Sequence, residues 1–357
     1  MIKVESVNIN AKCWVVRPGV RYRYSSEFID GGFVAMGHMD GIINQKDRGY
    51  LNFNELQELE SKYTEISKLT VNVTSQINSF IFDMNVGDVV FTMTSSLIIP
   101  GIIKSDAYYD PKTIKLQQKT SETFSIRRTV EWGTPIKRSE IPLKFIKSFN
   151  AYQAIFSLGD FSKEIYHWLS SFFISGDGFY SSLRIEQPDS INHHALKMLS
   201  EVIDRIQVLS LLLENISPDD KINIDLAMIQ EHMERMSDEG LLNLTAQQML
   251  MSPGDFWLGL KTGSKRSGVA FILLMAMIVS DSNVSFAGTS YQSEEIIARE
   301  LVTKHGAVVM EGINMAKIKK QLELGVGKQN KKFVEANPND YEESDAPDNT
   351  DPKIVGS

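Results

Sequence analysis

Nine residues between positions 14 and 132 carry side chains suited to gripping a nucleotide: Trp14, Arg17, Tyr24, His38, Tyr108, Tyr109, Arg127, Arg128 and Trp132. Flat rings are stacking platforms for a single-stranded or flipped base, and guanidinium groups hold the sugar-phosphate beside it. Each good stack is worth on the order of 1–3 kcal/mol. Arg127 and Arg128 are adjacent on an alternating stretch, so they must face opposite ways and only one can line a given pocket. Other chemistry is thinly supplied. His193 and His194 are neighbours and cannot share a helix face, which argues against a metal pair. The turn Gly263-Ser264-Lys265-Arg266-Ser267-Gly268 leads into a helix and could offer N–H groups to an anion, but it lacks the G-x-x-x-x-G-K-[ST] spacing. A metal-dependent nuclease core needs an acid followed on the next strand by Glu/Gln-x-Lys. The nearest match is Asp177 with Glu186, and Pro188 stands where the lysine belongs. No catalytic residue, metal ligand or cofactor is therefore assigned; Mg²⁺ enters only under a nuclease alternative built on Asp177 and Glu186.

These residues need a scaffold, and the hydrophobic pattern predicts one. Over roughly the first 150 residues, Lys12–Arg17, Gly32–Gly37, Asp88–Met93, Leu97–Ile103 and Phe124–Trp132 read as short strands. Thr94-Ser95-Ser96 makes a hairpin turn, and Pro18-Gly19 ends the first strand. Helical spacing appears at Ser25–Asp30, Phe53–Lys68 and Ser75–Met84. Short strands with breaks suggest a small curved barrel with inserted helices. From about residue 151 the reading becomes mainly helical: a helix capped by Asp160 and running to Phe173, then Ser190–Leu213, Asp219–Met236, Thr245–Met251, Val269–Val279, Ser293–His305 and Asn314–Leu324. The expected class is α+β, a barrel over 1–150 followed by a mainly α-helical domain over 151–330. Residues 331–357 hold three prolines and seven acids with few apolar groups, the composition of a disordered acidic tail.

The order of the motifs carries a resemblance. Trp14-Val15-Val16-Arg17-Pro18-Gly19 is followed by Tyr24-Ser25 with Phe28, then by Val34-Ala35-Met36-Gly37. Downstream come Met84-Asn85-Val86-Gly87-Asp88-Val89-Val90, a hairpin with Gly101-Ile102, Tyr108-Tyr109-Asp110, Arg128-Thr129-Val130-Glu131-Trp132, and Ile136 with Arg138, Ile141 and Pro142. Residues 10–160 thereby resemble the PUA-like domains, related to EVE and YTH modules, that precede the catalytic domain of some modification-dependent restriction endonucleases. That resemblance implies a small barrel that recognises nucleic acid, often by holding a modified base in an aromatic pocket, in the setting of prokaryotic anti-phage defence. His38 follows the Val34–Gly37 strand where such domains commonly carry tryptophan, so an imidazole would stand in for that wall.

Charge and cysteine content narrow the partner classes. The net charge of −8 over 357 residues is uneven: residues 1–150 hold 19 Lys/Arg against 16 Asp/Glu, residues 151–330 hold 15 against 22, and residues 331–357 hold 3 against 7. The acidic total thus does not describe the part that carries the base-reader motifs. A single cysteine, Cys13, excludes an intramolecular disulfide, and the expected compartment is the reducing cytoplasm. The run Val269–Val279 has 11 residues, about 17 Å as a helix, against the roughly 30 Å of a bilayer core. The expected partner is nucleic acid, with modified DNA foremost; the helical domain is a candidate for homo-oligomer formation, and a membrane is not expected. A nucleic-acid-triggered oligomerising or membrane-active effector is the remaining alternative.

Overall fold

The structure, a computed structural model, describes residues 2–38, 49–50, 71–115, 121–159, 161–249, 254–279, 284–287 and 291–326. The stretches Phe53–Lys68 and 331–357, and Asp160, lie outside the described residues. The chain divides into two compact units, one of Asn10–Ser162 and one of Met1–Ile9 with Lys163–Gln329. Both units mix helices with curled sheets.

In the first unit the strand order is Ile155–Ser157, Cys13–Val16, Val89–Met93, Leu97–Ile103, Ile126–Trp132, Tyr108–Tyr109 and Gly49–Tyr50. The sheet branches: Ile126–Trp132 also pairs with Phe33–Met36, and Leu97–Ile103 with Ile136–Lys137. Most pairs are antiparallel; Cys13–Val16 runs parallel to Val89–Met93. The expected hairpin is in place, with Val89 opposite Ile102 and Met93 opposite Ile98. Gly101 is demanded by packing, because a Cβ there would lie 2.6 Å from the Trp132 ring. The helix Ser25–Asp30 and the helix Val71–Asn78, extended by a wider turn over Ser79–Asp83, lean their apolar sides on this sheet.

The second unit departs from the mainly helical expectation. It is built on a seven-stranded sheet ordered Thr245–Met249, Gly254–Lys261, Gly178–Ile185, Phe172–Ser175, Ile2–Ser6 and Val284–Phe286, with Leu324–Val326 also pairing Gly178–Ile185. Thr245–Met249 is an edge strand and no helix, and the predicted helix to Phe173 stops at Leu169 before a strand. The physical reason is pairing at long range: Thr245–Met249 forms five residue pairs with Gly254–Lys261, and Ile2–Ser6 is held between two strands more than 160 residues away. Ile2–Ser6 moves the first nine residues into this unit, and the boundary falls at 162–163 where the sequence suggested 150.

One face of this sheet is covered by His193–Leu212 and Lys265–Val279. From Ser267 onward the second of these is buried at every position but the half-buried Met277, as a helix apolar on all sides must be, while Lys265 and Arg266 stay at its outer end. In this structure Val269–Val279 therefore serves as core packing. Among the described residues no helix is long and apolar enough to cross a membrane. On the opposite face the helix Ser162–Leu169 sets His167 flat on Trp257, with ring centroids 5.2 Å apart.

Candidate nucleic-acid interface

The rings singled out in the sequence do not open into a slot. Trp14, Tyr24, Tyr108, Tyr109 and Trp132 are each at most 6% exposed and belong to the packed interior of the first unit. Their environments explain why. Trp14 Nε1 donates to Asp88 Oδ2 at 2.9 Å, and Trp132 Nε1 donates to the Phe28 carbonyl at 3.0 Å. Tyr24 meets Phe124 edge-on at 4.8 Å. These are the partners that buried indoles and phenols find in a core. As base platforms these five are therefore corrected to structural residues. His38 is exposed at the end of the Phe33–Met36 strand.

Asp88 explains the Gly87-Asp88 motif. Its carboxylate accepts from Lys12 N at 3.0 Å, Asn85 N at 3.0 Å and Trp14 Nε1 at 2.9 Å, tying two strands at their start. Trp14→Phe keeps an aromatic ring but removes a buried hydrogen bond and leaves a void where the rest of the indole packed, so a loss of about 2–4 kcal/mol in stability is expected. Urea melts should show that loss while nucleic-acid affinity is unchanged; an affinity loss without a stability loss would restore Trp14 as a contact residue.

Arg127 and Arg128 face opposite ways, as alternation requires, and both are spent inside. Arg127 pairs with Asp110 Oδ2 at 3.0 Å, donates to the carbonyls of Phe124 and Lys112, and lies over the Phe33 ring. Arg128 donates to the carbonyls of Phe80 at 2.7 Å, Ile81 at 2.9 Å and Ser105 at 3.1 Å. Burial pulls its pKa down to about 10, partly countered by Asp106 and Asp88, so it stays cationic at neutral pH. Neither guanidinium is available to phosphate, and both are corrected to structural roles.

Arg17, like His38, reaches the surface. It leaves the end of Cys13–Val16 and donates to the Phe149 carbonyl at 2.8 Å and to the Tyr22 hydroxyl at 3.3 Å, while its Nε is enclosed without a hydrogen-bond partner. Arg138 arrives from the far side of the sequence and donates to the same hydroxyl at 3.3 Å, to the Ser95 carbonyl at 3.3 Å and to Asn150 Oδ1 at 3.3 Å. Both guanidinium groups lie over the Tyr22 ring, 5.8 Å and 5.6 Å from its centroid. Among the described residues no carboxylate forms an ion pair with either. The exposed Arg21, Arg23 and Lys137 are their neighbours in sequence.

The turn that presents Tyr22 is strained. Arg21 and Tyr22 have φ of 55° and 58°, the left-handed region that side chains avoid, and Gly19 stands at 79°. Conformations of this kind cost about 1–3 kcal/mol each and persist where the surroundings impose them. Here the imposition is visible: the Ser25 hydroxyl donates to the Tyr22 carbonyl, and Tyr24 N donates to Pro18 O at 3.0 Å. A Cβ on Gly19 would come within 2.7 Å of the Tyr24 ring, which explains the glycine after Pro18. Sequence reasoning does not single out Tyr22 or Arg138 as site residues; Arg138 stands in the Ile136–Pro142 motif, and only folding brings it to Tyr22.

The other candidate chemistry does not assemble. Asp177 sits before the strand Gly178–Ile185 and Glu186 just after it, so nine residues at about 3.3 Å each hold them roughly 30 Å apart. They cannot share a metal ion, which removes the nuclease alternative as drawn. Among the described residues no group of three His, Cys, Asp or Glu is placed to hold a metal. The Ser264 turn is used for capping: Ser264 Oγ accepts from Ser267 N, and Arg266 pairs with Glu294 at 2.9 Å.

A family model described as Domain of unknown function (DUF8426) matches residues 14–156. The match covers under half of the 357 residues and lies within the first unit, beginning and ending on two paired strands, where Phe156 faces Val15. No curated protein and no solved structure matches the chain.

Proposed function

We propose that the first unit binds nucleic acid and that Arg17 and Arg138, poised on Tyr22, clamp a backbone phosphate. The observation that carries this reading is the convergence of two guanidinium groups, without a carboxylate, on one hydroxyl of a strained surface turn. The three hydrogen bonds of the Arg138 guanidinium are each 3.3 Å long, at the weak end for such contacts, so its N–H groups can be traded for phosphate oxygens at about 2.7–2.9 Å. Tyr22 contributes a hydroxyl and a ring edge beside the phosphate, where a flanking base can stack. The resemblance of residues 10–160 to PUA-like modules supports the same ligand class, and a sensing role toward modified DNA in phage defence follows from that resemblance. Because the rings of Trp14, Tyr24, Tyr108 and Tyr109 are enclosed, the reading places affinity in the phosphate contact.

Fluorescence anisotropy with labelled single-stranded and duplex oligonucleotides, each with cytosine or 5-hydroxymethylcytosine, tests it. Wild type should bind, and the Arg17→Ala/Arg138→Ala double variant should bind at least tenfold more weakly. If both arginines serve one phosphate, the slope of log K against log salt should flatten by about 0.9 on a duplex. Unchanged affinity in the double variant would end the proposal. A preference for hydroxymethylated over plain DNA would support the modified-base role, and equal affinity would confine the function to backbone binding.

A further inference from the structure

The second unit carries a cleft of about 770 Å³ that no step above uses. Its floor follows from strand periodicity. Leu242, Leu244, Ala246 and Gln248 all line it, two residues apart, and their strand neighbours Phe256 and Leu258 continue the same face. One wall is the His193–Leu212 helix, presenting Ile203 and Asp204, and the other is the last turns of Leu226–Asp238, presenting Glu234 and Asp238. The floor is apolar and the rim acidic.

Three features describe an occupant. First, Asp204, Glu234 and Asp238 are exposed, and among the described residues none makes an ion pair or hydrogen bond. Partial desolvation, and secondarily the nearby Glu201 carboxylate, raise the Asp204 pKa. Second, among the described residues the strand Thr245–Met249 is the last of its sheet and pairs on one side only, with Gly254–Lys261, and its described side chains are all exposed. Such an edge is a template for another strand. Third, side chains with a long apolar stem and a cationic head match an apolar floor with an acidic rim. A second copy of this chain pairing edge to edge would bring two acidic rims together, and residues 331–357 are themselves acidic, with seven Asp/Glu against three Lys/Arg.

We propose that this cleft binds an extended basic segment of a partner protein, which adds a strand at Thr245–Met249 and directs alternate lysine or arginine side chains to Asp204, Glu234 and Asp238. The inference rests on the second unit alone and stands or falls independently of the phosphate clamp.

The test uses the full chain and a capped (Lys-Thr)4 peptide as probe. Three further ligands accompany it: (Glu-Thr)4, spermine, and the (Lys-Thr)4 peptide N-methylated at the threonines, which keeps the charge and removes the ladder donors. The expected result is binding of (Lys-Thr)4 with slowed amide exchange at 245–249, at least tenfold weaker binding of the N-methylated peptide, and no binding of (Glu-Thr)4. The Asp204→Asn/Glu234→Gln/Asp238→Asn variant should lose at least tenfold in affinity for (Lys-Thr)4; its substitutions are at exposed positions, and an unchanged urea midpoint verifies the fold. Equal binding by that variant overturns the proposal. So does equal binding of the N-methylated peptide or spermine without protection at 245–249, which would make the cleft a site for polycations in general.

Discussion

Arg128→Ala is expected to cost the first unit about 3–5 kcal/mol, a large share of the stability of an ordinary domain. The side chain is 1% exposed and its guanidinium serves the carbonyls of Phe80 and Ile81, inside the Ser79–Asp83 turn, and of Ser105, just past the Leu97–Ile103 strand. Alanine leaves three buried acceptors without donors and a void the size of the lost side chain. Arg128→Lys keeps the charge but has no planar fork to span three carbonyls, so it should recover only part of the loss. Urea unfolding followed by amide exchange in the strands of the first unit measures both. A loss below about 1 kcal/mol for alanine would show that water replaces the guanidinium at no penalty, contrary to the enclosure described.

Acid should weaken the second unit through His167. This imidazole is 4% exposed, accepts or donates one hydrogen bond to Ser182 Oγ at 2.9 Å, and is boxed by Phe173, Tyr180 and Trp257. Burial, aided by Lys163, lowers its pKa from 6.5 to about 3. In the unfolded chain the ring takes its proton near 6.5, and in the folded unit only near 3, so between those values the unfolded state binds more protons. Stability contributed by the neutral ring is full above about pH 6.5 and is lost as pH falls through that window, at about 1.4 kcal/mol per pH unit once below the upper value. Between pH 7 and 5 the loss is on the order of 2 kcal/mol. Asp204 and Asp255 act in the opposite sense: burial raises both, so protonation of these two groups favours the folded state as the pH falls. His167→Gln isolates the effect. Its stability should depend less on pH between 7 and 5 than that of wild type, as read by urea midpoints from amide exchange at Gly254–Lys261; parallel pH profiles would refute the assignment.

The His167 pair also shows why chemistry cannot be read from residue types alone. A serine 2.9 Å from a histidine is the geometry of a nucleophile and its base, yet both are below 5% exposed and the base is neutral because it is dry. The same lesson governs the first unit. Alternation and turn residues place Cys13–Val16, Phe33–Met36, Val89–Met93, Leu97–Ile103 and Ile126–Trp132 within a residue or two, because their periodicity and breakers are local. Aromatic rings in strands satisfy a core and a binding pocket equally well on sequence grounds, and only the partners across the sheet distinguish them.

The second unit was less legible for a related reason. Thr245–Met249 is rich in residues that favour helix, and its described side chains are all exposed, so no hydrophobic alternation marks it as a strand; its ladder with Gly254–Lys261 overrides that preference. Phe172–Ser175 is a short apolar run, a pattern shared by buried strands and buried helices, and Gly178–Ile185 is interrupted by Ser181, Ser182 and Arg184, so neither shows a clean strand alternation. Ile2–Ser6 carries no trace of its destination, because parallel pairing with Phe172–Ser175 and Val284–Phe286 joins segments far apart in the chain.

Local order therefore belongs to the sequence: the helices from His193 onward that repeat every three to four residues, the hairpin at Thr94–Ser96, the capping turns, and the +3 balance of residues 1–150 against the acidic remainder. Each depends on neighbours within one element, where spacing and side-chain type suffice. The fate of the site residues was settled by folding. Of the nine candidate side chains, five rings and two guanidinium groups went into the core, His38 stayed at the surface, and Arg17 met Arg138 over Tyr22 from 121 positions away. Whether a cation faces solvent or a carbonyl depends on groups that pairing brings from distant segments, and no local pattern encodes that meeting.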